Sequence, residues 1–394
     1  MKHLLFLFLL TASLSVSAQR EQLHVTEGNS VRLLYSGREK FDDLFGEIRQ
    51  AQDFIHMEYF NFRNDSINEL LISLLYEKVK EGVEVRVMYD AFGNASNNRP
   101  FTHAKHDSIV ALGIRLEKFD PLRFPWVNHI YPRDHRKIVV IDGRVAYTGG
   151  MNVADYYVDG IEDIGPWRDL HMHIEGPAVD DLHEIFAQMW QRQTGEYLFR
   201  SLYFRRYNPR AGNVRLAIVD RAPHVSNSAI RDLYVSMLDS AKDEVRIINP
   251  YFVPTRRVRR AIRRTIRRGV DVHIMVSARG DIPMTPETSL LVAHRLQKLG
   301  AHVSVFHGGF HHTKAMTVDG SFCTIGSANL NSRSLRYDYE VNAFILSPQV
   351  TAEFNDMYAR DMLDSEPMTD EWWHRQSRWK RFVGWFGNLL TPFL

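Results

Sequence analysis

The sequence predicts an α/β protein made of two similar domains about a pseudo-twofold axis, each a mixed or parallel sheet with helices on both faces. Three observations carry this. His-x-Lys-x4-Asp occurs twice, as His135, Lys137 and Asp142 in DHRKIVVIDG and as His312, Lys314 and Asp319 in HHTKAMTVDG. Asn152 and Asn329 follow at one spacing, so the matched positions share an offset of 177 (312 − 135 = 329 − 152). The flanks repeat in the same order, AKDEVRIINPYF answering AQDFIHMEYF and RRGVDVHIMVS answering KEGVEVRVMYD. Within each copy, strand-like apolar runs alternate with apolar residues at helical spacing.

The first element, residues 1–18, reads as a secretory signal: Lys2, apolar Leu4 to Leu10, then Val16 and Ala18 placed for signal peptidase. Its apolar run is short of the roughly 20 residues a spanning helix needs, and an uncleaved anchor is the alternative reading. The first domain, 19–210, opens with the apolar run VRLLYS. Phe41, Leu44, Phe45 and Ile48 then fall at helical spacing, followed by the strand FIHMEYF. Leu70, Leu71, Leu74 and Leu75 mark a second helix, closed by Gly82 before VEVRVMY. YNPRAGN breaks the pattern and places the boundary near Asn208 to Asn213, with the second domain spanning 211–370. Gly82 and Gly269 are 187 apart against the motif offset of 177, so one connection differs by ten residues.

Two charged segments stand apart. Eight arginines between Arg256 and Arg268 leave Val258, Ala261 and Ile262 on one side of a helix, either a solvated face or a contact for anionic lipid. Residues 371–394 mix Arg378, Lys380 and Arg381 with Trp379, Phe382, Trp385 and Phe386. That composition suits an interfacial amphipathic segment or a tail docked on the domain. The 394 residues are 44% apolar and 24% charged, ordinary for a globular chain of two domains, and the net charge of +2 decides little. Cys323 is the only cysteine, which excludes an intrachain disulfide and argues for apolar packing in a strand.

Residues two apart on a strand share a face, so His135 and Lys137 point together, as do His312 and Lys314. Asp-Gly between β-rich runs is a hairpin signal, so Asp142 and Asp319 read as turn formers first and as chemistry second. Gly149-Gly150 and Gly326-Ser327 allow close backbone approach to a ligand ahead of Asn152 and Asn329. His171 and His173 share a face, best explained by alternation on a half-exposed strand rather than by a metal. His311 faces away from His312, into a supporting layer or solvent. Tyr59, Phe60, Tyr251 and Phe252 end strands near the motifs, where entrance lining and core packing are equally compatible.

These motifs, with GPWRDLHMHIEGP after the first and IGSANLNSRSL after the second, resemble the phospholipase D superfamily, and within it most of all the bacterial cardiolipin synthases. The resemblance runs from about Val31 to the C-terminus. It implies two phospholipase D-like domains and phosphoryl transfer through a phosphohistidine, with His135, Lys137, Asp142, His312, Lys314 and Asp319 as the catalytic set. His135 becomes the nucleophile and His312 the acid by resemblance, since sequence symmetry cannot separate them. Lys137, Lys314, Asn152 and Asn329 would bind phosphate. A carboxylate some thirty residues after each histidine would orient it, Asp169 serving His135 and Glu340 serving His312. No metal and no cofactor is implied.

The expected reaction moves a phosphatidyl group from phosphatidylglycerol to a second phosphatidylglycerol, releasing glycerol and making cardiolipin. The expected partners are these anionic phospholipids and a membrane surface, with no nucleic acid; both half-sites lie in one chain, so no oligomer is required. Many bacterial cardiolipin synthases begin with membrane spans, and this sequence departs from that pattern. Export to the periplasmic side of the cytoplasmic membrane is expected, with peripheral attachment or an N-terminal anchor. The alternatives are a phospholipase D or secreted nuclease using the same site, its arginines on nucleic-acid phosphates. A lipid-binding protein without activity is the third reading, which the intact His, Lys and Asn of both copies oppose.

Overall fold

A computed structural model describes residues 23–121, 131–200, 203–204 and 210–391. The signal at 1–18 lies outside the described residues, as do positions 208 and 209 of the expected boundary. The first repeat supplies β1 (Thr26–Leu34), α1 (Gly37–Gln50), β2 (Phe54–Tyr59), α2 (Ser66–Lys80), β3 (Glu84–Asp90) and β4 (Arg115–Phe119). It continues with β5 (Lys137–Ile141), β6 (Val145–Gly149), β7 (Trp167–Arg168), β8 (His171–Glu175) and α3 (Ala178–Thr194). The second repeat supplies β9 (Val214–Arg221), α4 (Ala229–Ser240), β10 (Glu244–Ile248), α5 (Arg256–Arg267), β11 (Asp271–Ser277), α6 (Thr285–Gln297) and β12 (His302–Phe306). It closes with β13 (Phe310–His311), β14 (Ala315–Val318), β15 (Phe322–Gly326), β16 (Glu340–Leu346), α7 (Pro348–Asp361), β17 (Ser365–Pro367) and α8 (Arg378–Leu389).

Sheet order makes the repeat explicit. From the centre outward the first half runs β1-β8-β6-β5-β2-β3-β4, and the second runs β9-β16-β15-β14-β10-β11-β12-β17. Position for position these match, apart from the extra edge strand β17. β2, β3 and β4 are parallel neighbours, as are β10, β11 and β12, and the remaining pairs are antiparallel. The halves do not keep separate sheets. β1 pairs antiparallel with β9, Thr26 opposite Leu216 and Asn29 opposite Val214, giving one 15-stranded mixed sheet with the pseudo-twofold at its seam.

Helices cover both faces, so the central strands are buried throughout rather than alternately; KIVVI of β5 exposes no residue. One core cluster joins Leu182, Phe186 and Trp190 of α3 to Phe354 and Tyr358 of α7 across the seam, over Leu33, Ile174, Leu216 and Ile345. Two others fill the opposite face, one beneath each half. Cys323 is fully buried in β15, and burial pushes its thiol up to about 12. The ten-residue difference between repeats falls ahead of the first histidine: 16 residues separate Phe119 from His135, but 6 separate Phe306 from His312.

Candidate active site

Each histidine immediately precedes the strand that its motif lysine opens or adjoins, β5 for His135 and β14 for His312. Backbone pairing across the seam fixes both. β13 pairs parallel with β7, Phe310 opposite Trp167 and His311 opposite Arg168, and the His312 N–H donates to Arg168 O at 2.6 Å. In the other half the His135 N–H donates to Tyr339 O at 3.0 Å, and the Tyr339 N–H donates to Arg133 O at 2.8 Å. The β13–β7 approach requires Gly309, whose φ of +120° and tight packing on Pro166 leave no room for a Cβ. Arg136 adds a buried side-chain tie over the seam, bonding Glu58 and Asp220.

These ties correct the expected carboxylate pairing. Glu340, not Asp169, orients His135, with its oxygens 3.1 and 3.2 Å from Nδ1. Asp169, not Glu340, orients His312, at 2.6 Å from Nδ1. The reason is backbone geometry: Arg168 and Tyr339, each bonded to the opposite half's histidine segment, are the residues just before Asp169 and Glu340. Every half-site therefore takes its imidazole from one repeat and its carboxylate from the other.

The lysines sit against these pairs. Lys314 Nζ lies 2.8 Å from His312 Nδ1, 3.2 Å from its Nε2 and 3.7 Å from Asp169, and also bonds the His312 carbonyl. Nδ1 cannot donate to Asp169 and accept from Lys314 together; the charged carboxylate at 2.6 Å is the stronger partner, and the ammonium has the carbonyl. Lys137 Nζ likewise bonds the His135 carbonyl. Burial first, and then Lys137, holds His135 down to about 4 against the pull of Glu340. His312 is lowered by burial and Lys314, against Asp169. Burial brings Lys137 to about 7 and Lys314 to about 8, and the Lys314 ammonium lowers both Lys137 and His135 further. An anion placed among these groups would favour their protonated forms.

Asn152 and Asn329 are buried, and the Oδ1 of each finds no hydrogen-bond partner among the described residues. Lys40, fully buried in α1, donates to Asn152 O at 3.1 Å, and burial forces its ammonium well below the usual range. Gly150 and Ser327 occupy equivalent positions with different duties. The Ser327 hydroxyl donates to Glu340, whereas a side chain at Gly150 would collide with Asp169 Oδ1. Sequence reasoning missed Lys40 and the Ser327 contact; a lone lysine on the apolar face of α1 was the available signal.

Asp142 and Asp319 stand outside this cluster, which corrects their inclusion in the catalytic set. Each follows its hairpin strand at the far end, and five residues of β5 put Asp142 roughly 16 Å from Lys137. Asp142 and Gly143 take φ of +54° and +63°, Asp319 and Gly320 +49° and +61°, the hairpin turn their sequence announces. The Asp142 carboxylate accepts N–H bonds from Gln52, Asp53 and Phe54 at 2.8 to 2.9 Å, and Asp319 accepts from Lys242, Asp243 and Glu244 at 2.9 to 3.0 Å. Each staples its hairpin to the start of the neighbouring strand.

Among the described residues, aromatic rings wall the two histidines unequally. Phe60 meets His135 edge-on at 4.9 Å, while Trp167, Phe310 and Tyr251 surround His312 at 5.3, 5.5 and 6.0 Å. Tyr59 and Phe252 belong to the core. The HMH strand is buried rather than half-exposed: His173 pairs with Asp43 at 2.7 Å, and His171 is fully buried, its pKa pushed well below the usual value by burial and by Lys40, Lys137 and Lys314. His311 is also buried, bonded to Asp361 at 2.9 Å. Among the described residues no three His, Cys, Asp or Glu side chains gather as a metal site.

A family profile described as cardiolipin synthase, PLD-like domain, matches residues 44–190 and 234–362, one copy per repeat. The chain belongs to the PLD-like cardiolipin synthase family. Cardiolipin synthase of Listeria monocytogenes is 32% identical over 375 residues, covering 94% of this chain and 76% of that protein. Cardiolipin synthase of Staphylococcus aureus is 33% identical over 377 residues, covering 94% and 74%. Among solved structures, phosphatidylserine synthase of Haemophilus influenzae superposes with a TM-score of 0.68 at 15% identity, over 92% of this chain and 95% of that one, a likeness of fold. As a member of the cardiolipin synthase family the chain is a phosphatidyltransferase of the phospholipase D superfamily, acting in phospholipid biosynthesis on phospholipid substrates.

Proposed function

We propose that this phosphatidyltransferase makes cardiolipin from two molecules of phosphatidylglycerol through a phosphatidyl-histidine on His135. The crossed carboxylate pairs carry the reading, because they fix the tautomer of both imidazoles. With Nδ1–H held by Glu340, His135 presents a lone pair on Nε2, and its lowered pKa keeps that nitrogen unprotonated at neutral pH. Attack forms the N–P bond and breaks the bond to glycerol, whose oxygen takes a proton from His312 Nε2. Asp169 is the closer of the two carboxylates, which suits the imidazole that must carry the positive charge once the anionic phosphodiester has entered.

In the second half-reaction His312 takes the proton of the incoming phosphatidylglycerol hydroxyl, that oxygen bonds to phosphorus, and the N–P bond breaks. One phosphodiester replaces another, so no nucleotide is needed. Lys137, Lys314, Asn152 and Asn329 hold the non-bridging oxygens, where losing one donor commonly costs about 3 kcal/mol of barrier. The aromatic walls favour a lipid alcohol over water as acceptor. The reaction is assigned to the periplasmic side of the cytoplasmic membrane, with the chain attached peripherally or through its N-terminus. Incubation with phosphatidylglycerol vesicles should give cardiolipin and glycerol in equal amounts by mass spectrometry. Phosphatidic acid without cardiolipin would make the protein a hydrolase, and cardiolipin formation by His135→Ala would remove the proposed nucleophile.

A further inference from the structure

The C-terminal helix is both docked and unpartnered. α8 seats Gly384 and Gly387 on α6, where a Cβ at either would strike the Glu287 carbonyl or the Thr288 hydroxyl. That side is closed. The other presents Trp379, Phe382, Trp385, Phe386 and Leu389, all 45% exposed or more, with Phe382 ring centroids 5.6 Å from Trp379 and 5.9 Å from Trp385. So large a contiguous apolar face on a surface helix marks a binding surface.

Charge says what covers it. Arg378 and Lys380 are exposed on the same helix. Of the α5 arginines, Arg257 and Arg264 are paired with Asp232 and Asp239 on α4, but Arg256, Arg259 and Arg263 have no acidic partner among the described residues. Arg259 feels the charges of Arg256, Arg263 and Arg295, and Arg295 belongs to α6, the helix that carries α8. The aromatic helix thus carries Arg378 and Lys380, and α6 beneath it carries the exposed Arg295, none of them ion-paired with a carboxylate among the described residues. A second copy of this chain would bring the same cations against them, whereas an anionic bilayer would neutralise them.

Position says what the contact is for. Tyr251, whose ring stands 6.0 Å from that of His312, donates its hydroxyl to Asp281 at 2.6 Å. Three residues on, Met284 leads into α6, and its carbonyl lies beneath Gly387. One short segment therefore links the wall of the active site to the seat of α8.

We propose that α8 is the bilayer-docking helix of this enzyme, its aromatic face sunk among phosphatidylglycerol headgroups and its basic flank on their phosphates, so that the His312 side of the site opens toward the membrane. The proposal rests on the phospholipid reaction above, and its test separates the two. In the full chain, Phe386→Cys gives one accessible thiol, because Cys323 is fully buried. An environment-sensitive fluorophore on it should shift to the blue and brighten on vesicles of phosphatidylglycerol with phosphatidylcholine, and less on phosphatidylcholine alone. The same label on Val110→Cys, exposed in the other half, should not respond. Phe382→Gln with Trp385→Gln should slow turnover of vesicle phosphatidylglycerol at least ~10-fold, since two aromatic side chains would no longer enter the bilayer. Turnover of monomeric short-chain phosphatidylglycerol should be unchanged.

A silent Phe386→Cys label, an equal loss on both substrates, or a lipid-free dimer that hides the label would each overturn the proposal. A label that inserts while neither substrate turns over would uphold the docking and remove the reaction.

Discussion

Removing the charge of Glu340 should disable the nucleophile and leave the acid intact. In Glu340→Gln the side chain keeps its shape but loses its charge, 3.1 Å from His135 Nδ1. Phosphatidyl transfer makes that imidazole cationic, and at an effective dielectric of about 20 a unit pair at this separation is worth about 5 kcal/mol. A neutral amide bond returns about 1 kcal/mol. The remaining ~4 kcal/mol corresponds to a roughly thousandfold loss in the rate of forming the covalent intermediate. Asp169→Asn should slow glycerol release for a different reason, since it weakens the proton donor. A phosphatidyl p-nitrophenyl ester distinguishes them, because its leaving phenolate needs no proton. Stopped-flow release of p-nitrophenol should be nearly restored in Asp169→Asn and His312→Ala but not in Glu340→Gln. Recovery of Glu340→Gln with persistent loss in Asp169→Asn, while His312→Ala still recovers, would refute the crossed arrangement.

Binding of an unreactive dialkyl phosphate should weaken as pH rises through about 7 to 8, since Lys137 and Lys314 hold lowered pKa values there and only their protonated forms attract the anion. Calorimetric affinity that stayed level up to the ordinary lysine range near about 10 would contradict this. Asp142→Asn should cost about 1–3 kcal/mol in urea unfolding, since three N–H donors lose a charged acceptor, while kcat at 25 °C holds. A large fall in kcat without loss of stability would return Asp142 to the chemistry. Gly150→Ala should push Asp169 off His312 and lower kcat by roughly 10- to 100-fold, the worth of a charged hydrogen bond, whereas Ser327→Ala should cost less.

The duplicated motif announced two related α/β halves and the histidines, lysines and asparagines because strand faces and hairpin turns are local properties that residue spacing encodes. The single sheet was not legible. Its seam is a β1–β9 pairing between segments nearly 190 residues apart, and only their tertiary docking reveals it. The crossing of Asp169 and Glu340 was hidden for a related reason. It follows from a two-residue bridge between β7 and β13 and from a single bridge at Asp134 and Tyr339, too short to carry a periodicity. His171 and His173 read as lying on a half-exposed strand because polar alternation normally marks a wetted face; here the strand is second from the seam, covered on both sides.

Because the two repeats are joined by main-chain bonds at β1 and β9, their alignment does not depend on what the side chains around the catalytic groups happen to be. A homodimer that meets through surface residues must keep both copies of any useful change. Here the two copies differ: among the described residues one imidazole meets the ring of Phe60, and the other stands inside a crowded aromatic cage. Fusion at the backbone lets two motif histidines sit in unequal surroundings, which is what the proposed division into nucleophile and acid requires.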